Sequence, residues 1–272
     1  MNPNTPLDSS AQMSSPSYSL PIEDTQFLLR DEMRAIRFAL EYGKAELLLR
    51  EWGIRSTIIV FGSARVPSPE MIAAMPPPQD EEQRAALARA ERQLAWYEAA
   101  RELGRIVSER GGARAPHDRW RDNVIATGGG PGIMEAANRG AWDVDAPSIG
   151  FNITLPLEQQ PNRFTTPELT FRFHYFAMRK MHLAMRANAL IVFPGGFGTM
   201  DELFEILTLR QTGKAPRVPV VLFDRNYWQR IVNFDAFVEE GMISKADLEL
   251  FDFAESAEET WEILMRHGLR QR

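Results

Sequence analysis

A pattern of strand, glycine loop and helix occurs twice in this chain and constrains its fold more than any other feature. Residues 123–127 form a short apolar run before glycines 128, 129, 130 and 132, and residues 189–193 precede glycines 195, 196 and 198. Helical patterns follow at residues 133–142 and 200–212. Such runs are typical of buried parallel strands. The pattern predicts an α/β protein, with a Rossmann-like, doubly wound and mostly parallel sheet that carries helices on both faces.

The remaining elements fit the same alternation. Further strands are predicted at residues 56–61, 148–153, 169–173 and 218–223, with an extended piece at 248–253. Helices are predicted at residues 81–110, 175–186, 227–240 and 256–269. The proline-rich residues 67–80 predict a surface excursion. We expect a disordered tail over residues 1–22, a helical extension over 23–53 with one helix at 25–52 that ends at Gly53, and a single catalytic domain over 54–272.

Composition excludes several classes of protein. The formal net charge of −6 argues against a nucleic-acid polymer as partner. The lack of cysteine excludes disulfides and thiolate metal sites. The chain shows neither a secretory signal pattern nor an apolar stretch near the roughly 20 residues of a membrane span. We therefore expect a cytoplasmic protein without a membrane partner.

The glycine loops predict a phosphate-binding function. Gly129, Gly130, Gly132, Gly195, Gly196 and Gly198 let backbone amides approach a ligand closely, and each loop opens a helix whose N-terminus favours anions. Thr199 is expected to add a hydroxyl donor or to cap its helix. Each loop could instead be only a tight turn. A dinucleotide fingerprint fails because Glu135 and Asp201 stand where its third glycine belongs, and no Walker A lysine is present.

Two acids follow the second loop directly. Asp201 and Glu202 are expected in the first helical turn, where the helix dipole favours negative charge. That effect accounts for one acid but not for two acids directly beside a phosphate loop, where repulsion from the anion would be costly unless a carboxylate has a chemical role. A carboxylate near C1′ of a bound nucleotide could stabilise an oxocarbenium-like transition state or activate the attacking water, by analogy with glycoside hydrolysis. Glu202 is the predicted catalytic carboxylate.

Met178, Arg179 and Lys180 lie on the helix that precedes the second loop. Its neighbours are mostly apolar, so the helix is predicted to be largely buried and a charge on its inner face needs an anion. A solvated basic pair is the alternative. Ser63 could touch the ligand or cap a turn, and Glu135 could reach a ribose or stabilise its own helix. The four scattered histidines show no ligand spacing, so we predict no metal.

The segment from Pro194 to Glu202, with Met178, Arg179, Lys180 and the glycine loop that ends at Glu135, resembles the LOG ("Lonely Guy") family. These are cytokinin riboside 5′-monophosphate phosphoribohydrolases, once labelled "possible lysine decarboxylase". The resemblance covers about residues 58–223. It implies a Rossmann-like fold, hydrolysis of AMP-like nucleotides without metal or cofactor, and a homodimer with the site near its interface. It also implies that Arg179 and Glu202 are the catalytic residues.

The glycine-rich loop before Glu135, the N-terminal helix and the proline-rich insertion look like the longer bacterial branch of this family. That similarity implies AMP or other plain nucleotides as substrates. Lysine decarboxylation is not expected, because nothing around the four lysines resembles a pyridoxal anchor. The alternative hypothesis is a non-catalytic nucleotide or molybdenum-cofactor carrier of the same fold. Pure carriage of an anion gains nothing from a carboxylate beside it, which favours the hydrolase.

Overall fold

The computed structural model describes residues 8–155, 160–214 and 218–269. The chain forms two compact units, with the boundary between Lys44 and Ala45. Among the described residues, no helix is both long and apolar enough to cross a bilayer.

The first unit consists of short helices. They are α1 (Ser10–Met13), α2 (Thr25–Leu28), two 3-10 helices (Pro16–Tyr18 and Asp31–Met33) and the start of α3 (Arg34–Glu51). The single helix predicted over residues 25–52 is therefore wrong, because Arg30 adopts an extended backbone (ψ 152°) that separates α2 from α3. The predicted stop at Gly53 is confirmed, since its φ of +71° is left-handed. Neither α1 nor Pro16–Tyr18, both within the predicted tail, buries a residue.

Seven parallel strands form the sheet of the second unit. In chain order they are β1 (Thr57–Phe61), β2 (Val124–Thr127), β3 (Ser148–Ile153), β4 (Thr170–Phe173), β5 (Ala187–Val192), β6 (Val220–Phe223) and β7 (Asp252–Ala254). They lie in the order β4-β3-β2-β1-β5-β6-β7, and every pairing is parallel. The strand order reverses between β1 and β5, which is where ligands bind in such sheets. The predicted fold class is confirmed.

Helices cover both faces of this sheet. They are α4 (Pro69–Ala73), α5 (Glu81–Arg110), α6 (Ile133–Trp142), α7 (Phe176–Met185), α8 (Phe197–Gln211), α9 (Arg225–Ile231), α10 (Phe234–Glu239) and α11 (Ala257–Arg266). Side chains alternate along β1: Ile58 and Val60 pack in a core with α5, α6 and α11, whereas Ile59 and Phe61 pack in a second core with α7 and α8. Since successive residues of a strand point to opposite faces, one apolar strand serves two cores.

Three predicted element boundaries are wrong. The helix predicted at residues 227–240 is broken at Val232, whose backbone is extended, and Asn233 caps α10 through the N–H of Ala236. The extended piece predicted at 248–253 is only half extended. Its first three residues end a 3-10 helix (Lys245–Leu250), which a capping box between Ser244 and Asp247 stabilises, whereas Phe251 is extended and Asp252 and Phe253 belong to β7. The helix predicted from residue 200 begins three residues earlier, at Phe197.

Candidate active site

A large cleft lies at the carboxyl ends of β1, β5 and β6. Its volume is about 1740 Å³, and α5 and α8 contribute to its walls from opposite faces of the sheet. We call it the central cleft. Its lining includes seven of the predicted site residues: Ser63, Arg179, Gly195, Gly196, Gly198, Thr199 and Glu202. The structure therefore brings together the second glycine loop and both predicted catalytic residues.

The second glycine loop presents an open helix N-terminus to this cleft. Gly196 is the N-cap of α8 and no side chain caps the helix. The N–H of Thr199 donates to the carbonyl of Gly196 at 3.0 Å, which leaves the N–H groups of Phe197 and Gly198 without an intrahelical acceptor. A side chain at Gly196 or Gly198 would meet no protein atom within 4 Å. Gly195 is different, because a Cβ there would lie 2.1 Å from Oγ1 of Thr199. The loop thus leaves space on its ligand side and is tightly packed on the other.

Thr199 does not cap its helix. It lies in the first turn of α8, where its side chain packs over Gly195, and it is buried. The carbonyl of Gly195 accepts a hydrogen bond from the hydroxyl of Tyr227 at 2.7 Å. These contacts hold the buried side of the loop in place, and residues 196–198 on its other side are exposed.

Arg179 and Glu202 form a buried ion pair at the cleft wall. Nη2 of Arg179 donates to Oε1 of Glu202 at 2.8 Å, and their side chains are only 13% and 6% exposed. Burial raises the pKa of Glu202 above its ordinary value, although the charges of Arg179 and Lys180 oppose this shift. Buried Nε of Arg179 has no hydrogen-bond partner among the described residues.

Lys180 points to α8 rather than into the cleft. Its Nζ lies 2.8 Å from both Oδ2 of Asp201 and Oε2 of Glu205. Burial alone would lower the pKa of Lys180, but the hydrogen bonds to Asp201 and Glu205 raise it. A direct phosphate contact by Lys180 or Asp201 is therefore not supported. Their pairing instead ties α7 to α8 beside Glu202.

The first glycine loop is mostly occupied by its own hydrogen bonds. The N–H of Gly129 donates to Oγ1 of Thr127 at 2.9 Å, and the carbonyls of Gly129 and Gly130 accept from Asn162. A Cβ on Gly132, whose φ is +71°, would lie 2.3 Å from the carbonyl oxygen of Ser63. Gly129, Gly130 and Gly132 are not among the described residues that line the central cleft. The predicted phosphate contact by Gly129 is not supported, because its amide is already used.

Gly128 is the member of this loop that reaches the cleft. A Cβ there would lie 3.5 Å from Nη1 of Arg179, so the carboxyl end of β2 and the guanidinium meet. Met178 packs against the core on the other face of α7. A Cβ at Gly128 would lie only 2.8 Å from Sδ of Met134, so this glycine leaves room for Met134, whereas Arg179 is at ordinary contact distance.

Glu135 lies in the first turn of α6, which agrees with the predicted alternative that it stabilises the start of its own helix. Its Oε1 accepts a hydrogen bond from the hydroxyl of Tyr97 at 2.8 Å, and it lines a separate cavity of about 330 Å³. Arg139 next to it donates to Glu70 and holds the pKa of that carboxyl at about 2. A ribose contact by Glu135 is not supported by this arrangement.

Sequence reasoning missed Trp96 and Tyr227. Trp96 on α5 donates from Nε1 to Oδ2 of Asp224 at 2.9 Å, and its ring meets that of Tyr227 edge-on, with centroids 5.6 Å apart. Both line the central cleft. The signal for Trp96 was available, because residues 89, 92, 93 and 96 occupy one face of a helix. No comparable signal pointed to Tyr227, because its position in the cleft depends on where α9 folds back onto the sheet.

The described part of the chain contains no cluster of three His, Asp or Glu side chains that could hold a metal ion. Function without metal or cofactor remains a prediction.

This chain is similar to several known proteins. A family model described as "Possible lysine decarboxylase" matches residues 134–264. Cytokinin riboside 5′-monophosphate phosphoribohydrolase LOG3 of Arabidopsis thaliana is 30% identical over 141 residues, which are 50% of this chain and 64% of that protein. The corresponding LOG7 protein of the same plant is 29% identical over 168 residues, 60% of this chain and 71% of its own. The match to LOG3 thus leaves about a third of that relative uncovered.

A solved molybdenum cofactor binding protein from Rippkaea orientalis is also similar. It is 18% identical, covers 78% of this chain and 98% of its own, and superposes with a TM-score of 0.47.

Proposed function

This chain belongs to the LOG family, and from that premise we propose that it hydrolyses the N-glycosidic bond of nucleoside 5′-monophosphates. The products are the free base and ribose 5-phosphate. The observation that carries the proposal is the buried pair of Arg179 and Glu202 beside the open N-terminus of α8. The AMP-like substrate comes from the family resemblance, as plain nucleotides are expected of its longer bacterial branch.

The N-terminus of α8 is the proposed phosphate site. Its uncapped amides and dipole favour an anion, and Gly196 and Gly198 leave the approach open. Arg179 lines the same cleft, and we expect its guanidinium to contact a second oxygen of the same substrate. A 5′-phosphate held there would place the sugar near Glu202, which lines the same cleft.

Glu202 is the proposed catalytic carboxylate. In its ionised form it stabilises positive charge at C1′ or accepts a proton from the attacking water. The water oxygen forms a bond to C1′ as the C1′–N bond breaks, and the base leaves with that electron pair and gains a proton. Arg179 keeps Glu202 ionised against the effect of burial.

Incubation with AMP, CMP, GMP and isopentenyl-AMP, followed by assay of free base and ribose 5-phosphate, tests this function. We expect release of base from at least AMP. If none of the four nucleotides is cleaved, the hydrolase proposal is wrong and a nucleotide or cofactor carrier is favoured instead.

Assembly as a homodimer with the site near its interface is part of the same proposal and rests on the family resemblance. Light scattering on the intact chain tests it, and a monomeric mass would contradict it. A cytoplasmic location also stays a prediction.

A further inference from the structure

The lining of the central cleft includes four arginines besides Arg179. They are Arg65 after β1, Arg89 and Arg92 on α5, and Arg230 on α9, and we call them the arginine wall. None of them pairs with a carboxylate within residues 8–155, 160–214 and 218–269. The wall is exposed to solvent, in a chain whose formal net charge is −6.

The contrast along α5 shows that this arrangement is local. The other four arginines of the helix all pair with carboxylates: Arg84 with Glu81, Arg101 with Asp143, Arg105 with Glu102 and Glu109, and Arg110 with Glu258. Arg89 and Arg92 instead stand three residues apart on the face that lines the cleft. Like charges at this spacing are mildly destabilising. Their placement is therefore better explained by a ligand than by the stability of the helix.

The carboxylates of the cleft do not compensate these charges. Glu202 pairs with Arg179. Asp224 accepts hydrogen bonds from Nε1 of Trp96 and the N–H of Tyr227, both at 2.9 Å. The cleft thus has an excess of positive charge.

Contacts of Trp96 position the wall relative to the proposed phosphate site. Trp96 packs on Tyr227, whose hydroxyl bonds the carbonyl of Gly195 in the second glycine loop. At a rise of 1.5 Å per residue, Arg92 and Arg89 lie about 6 and 10 Å farther along the axis of α5 than Trp96. The positive surface therefore extends well beyond the N-terminus of α8.

We propose that the arginine wall is a second phosphate subsite, and that the cleft binds nucleotides with two or more phosphate groups as ligands in addition to the monophosphate substrate. This proposal rests on the proposed function, because that function places the first phosphate at the N-terminus of α8. A single phosphate dianion is already served by the N-terminus of α8 and Arg179. Four additional guanidinium groups balance the negative charge of a second or third phosphate group. Each guanidinium can bind two oxygens of a phosphate at once.

Calorimetry with inorganic pyrophosphate and inorganic phosphate, at one ionic strength, tests the subsite. We expect the wild-type protein to bind pyrophosphate at least tenfold more tightly than phosphate. The double variant Arg89→Gln/Arg92→Gln should lose at least tenfold in pyrophosphate affinity and less than threefold in phosphate affinity. Arg84→Gln, on the same helix but outside the cleft, is the matched control and should change neither affinity.

Equal affinity of the wild type for the two anions would overturn the proposal. An equal loss of affinity for both anions in the double variant would also overturn it, because the arginines would then bind the first phosphate. A comparable loss in Arg84→Gln would show a nonspecific charge effect. Neither anion contains a glycosidic bond, so a failure to hydrolyse AMP leaves this test unaffected.

The ligand class is tested with ADP and AMP on Glu202→Gln protein, in which turnover is prevented. We expect ADP to bind at least tenfold more tightly than AMP, and this preference to vanish when Arg89 and Arg92 are also replaced. Equal binding of the two nucleotides would overturn the assignment to nucleotides with more than one phosphate.

Discussion

Glu202 lies in the second turn of α8, and no acid occupies the first turn. The helix dipole acts mainly on the first turn, so it does not account for a buried carboxylate at this position. The expectation that Asp201 and Glu202 fall in the first turn is thus wrong. What stabilises the ionised form of Glu202 is Arg179 at 2.8 Å, with a smaller contribution from Lys180.

Replacing Glu202 by glutamine should remove hydrolysis of the preferred nucleotide. We expect kcat to fall by about 10²–10⁴-fold, because the amide can neither accept a proton nor carry the charge that faces C1′. The matched control is Asp201→Asn, whose side chain is 57% exposed and pairs with Lys180. Steady-state release of base measures both. Full activity of Glu202→Gln, or an equal loss in Asp201→Asn, would contradict the assigned role.

The pH at which Glu202 titrates should depend on Arg179. Because burial raises the pKa of Glu202, its titration should lie above the ordinary glutamate value of about 4.3, and activity should fall as the pH drops through it. Arg179→Gln removes the largest influence that lowers this pKa, so the pKa should rise further. Carbon-13 NMR of the Glu202 carboxyl measures this directly.

Arg139→Gln is the control for this titration. It should raise the pKa of Glu70 from about 2 and leave that of Glu202 unchanged. A pKa of Glu202 that falls or stays constant in Arg179→Gln would show that the pair does not control its ionisation.

The two glycine loops have the same sequence character and different structural roles. The loop after β2 is closed by hydrogen bonds to Thr127 and Asn162. The loop after β5 opens α8 without a side-chain cap. The difference arises because Asn162, 32 residues after Gly130, reaches the first loop, in addition to the adjacent Thr127. A glycine count alone cannot distinguish a packed turn from a ligand-binding one.

Alanine substitutions should separate these roles. Gly198→Ala meets no protein atom within 4 Å, so we expect stability to be unchanged or raised by up to about 1 kcal/mol and KM for the nucleotide to rise at least tenfold. Gly132→Ala places a side chain 2.3 Å from the carbonyl of Ser63 at a φ of +71°. It should lower the melting temperature. Thermal unfolding and steady-state kinetics on both variants decide this. Unchanged nucleotide binding in Gly198→Ala would argue against the phosphate site.

The end of α3 belongs to the core of the second unit. Leu49 is fully buried in the core cluster that includes Leu183 and Leu203, and Glu46 accepts a hydrogen bond from Nη2 of Arg186 at 2.8 Å. The compact unit begins at Ala45, so it includes residues that the predicted extension over 23–53 also covers. That predicted domain division stays a prediction.

Leu49→Ala should destabilise the protein by about 2–5 kcal/mol through loss of apolar burial and a cavity. Leu47→Ala is the matched control, because Leu47 is 59% exposed and its truncation should change stability by less than about 0.5 kcal/mol. Denaturant unfolding of the two variants measures the difference. Equal effects would show that α3 does not contribute to this core.

Apolar strands and glycine positions in the sequence were enough to predict the parallel sheet, the approximate places of its elements and the pair Arg179 and Glu202, because these depend on local periodicity and on a family motif. Only the tertiary structure decided which predicted residues share one cleft. It directs Lys180 to Asp201 and Glu205, turns Glu135 toward Tyr97, and adds Trp96, Tyr227 and the arginine wall. The physical reason is that hydrogen bonds and ion pairs between distant elements set side-chain direction, and one sequence position carries no information about a partner 20 or more residues away.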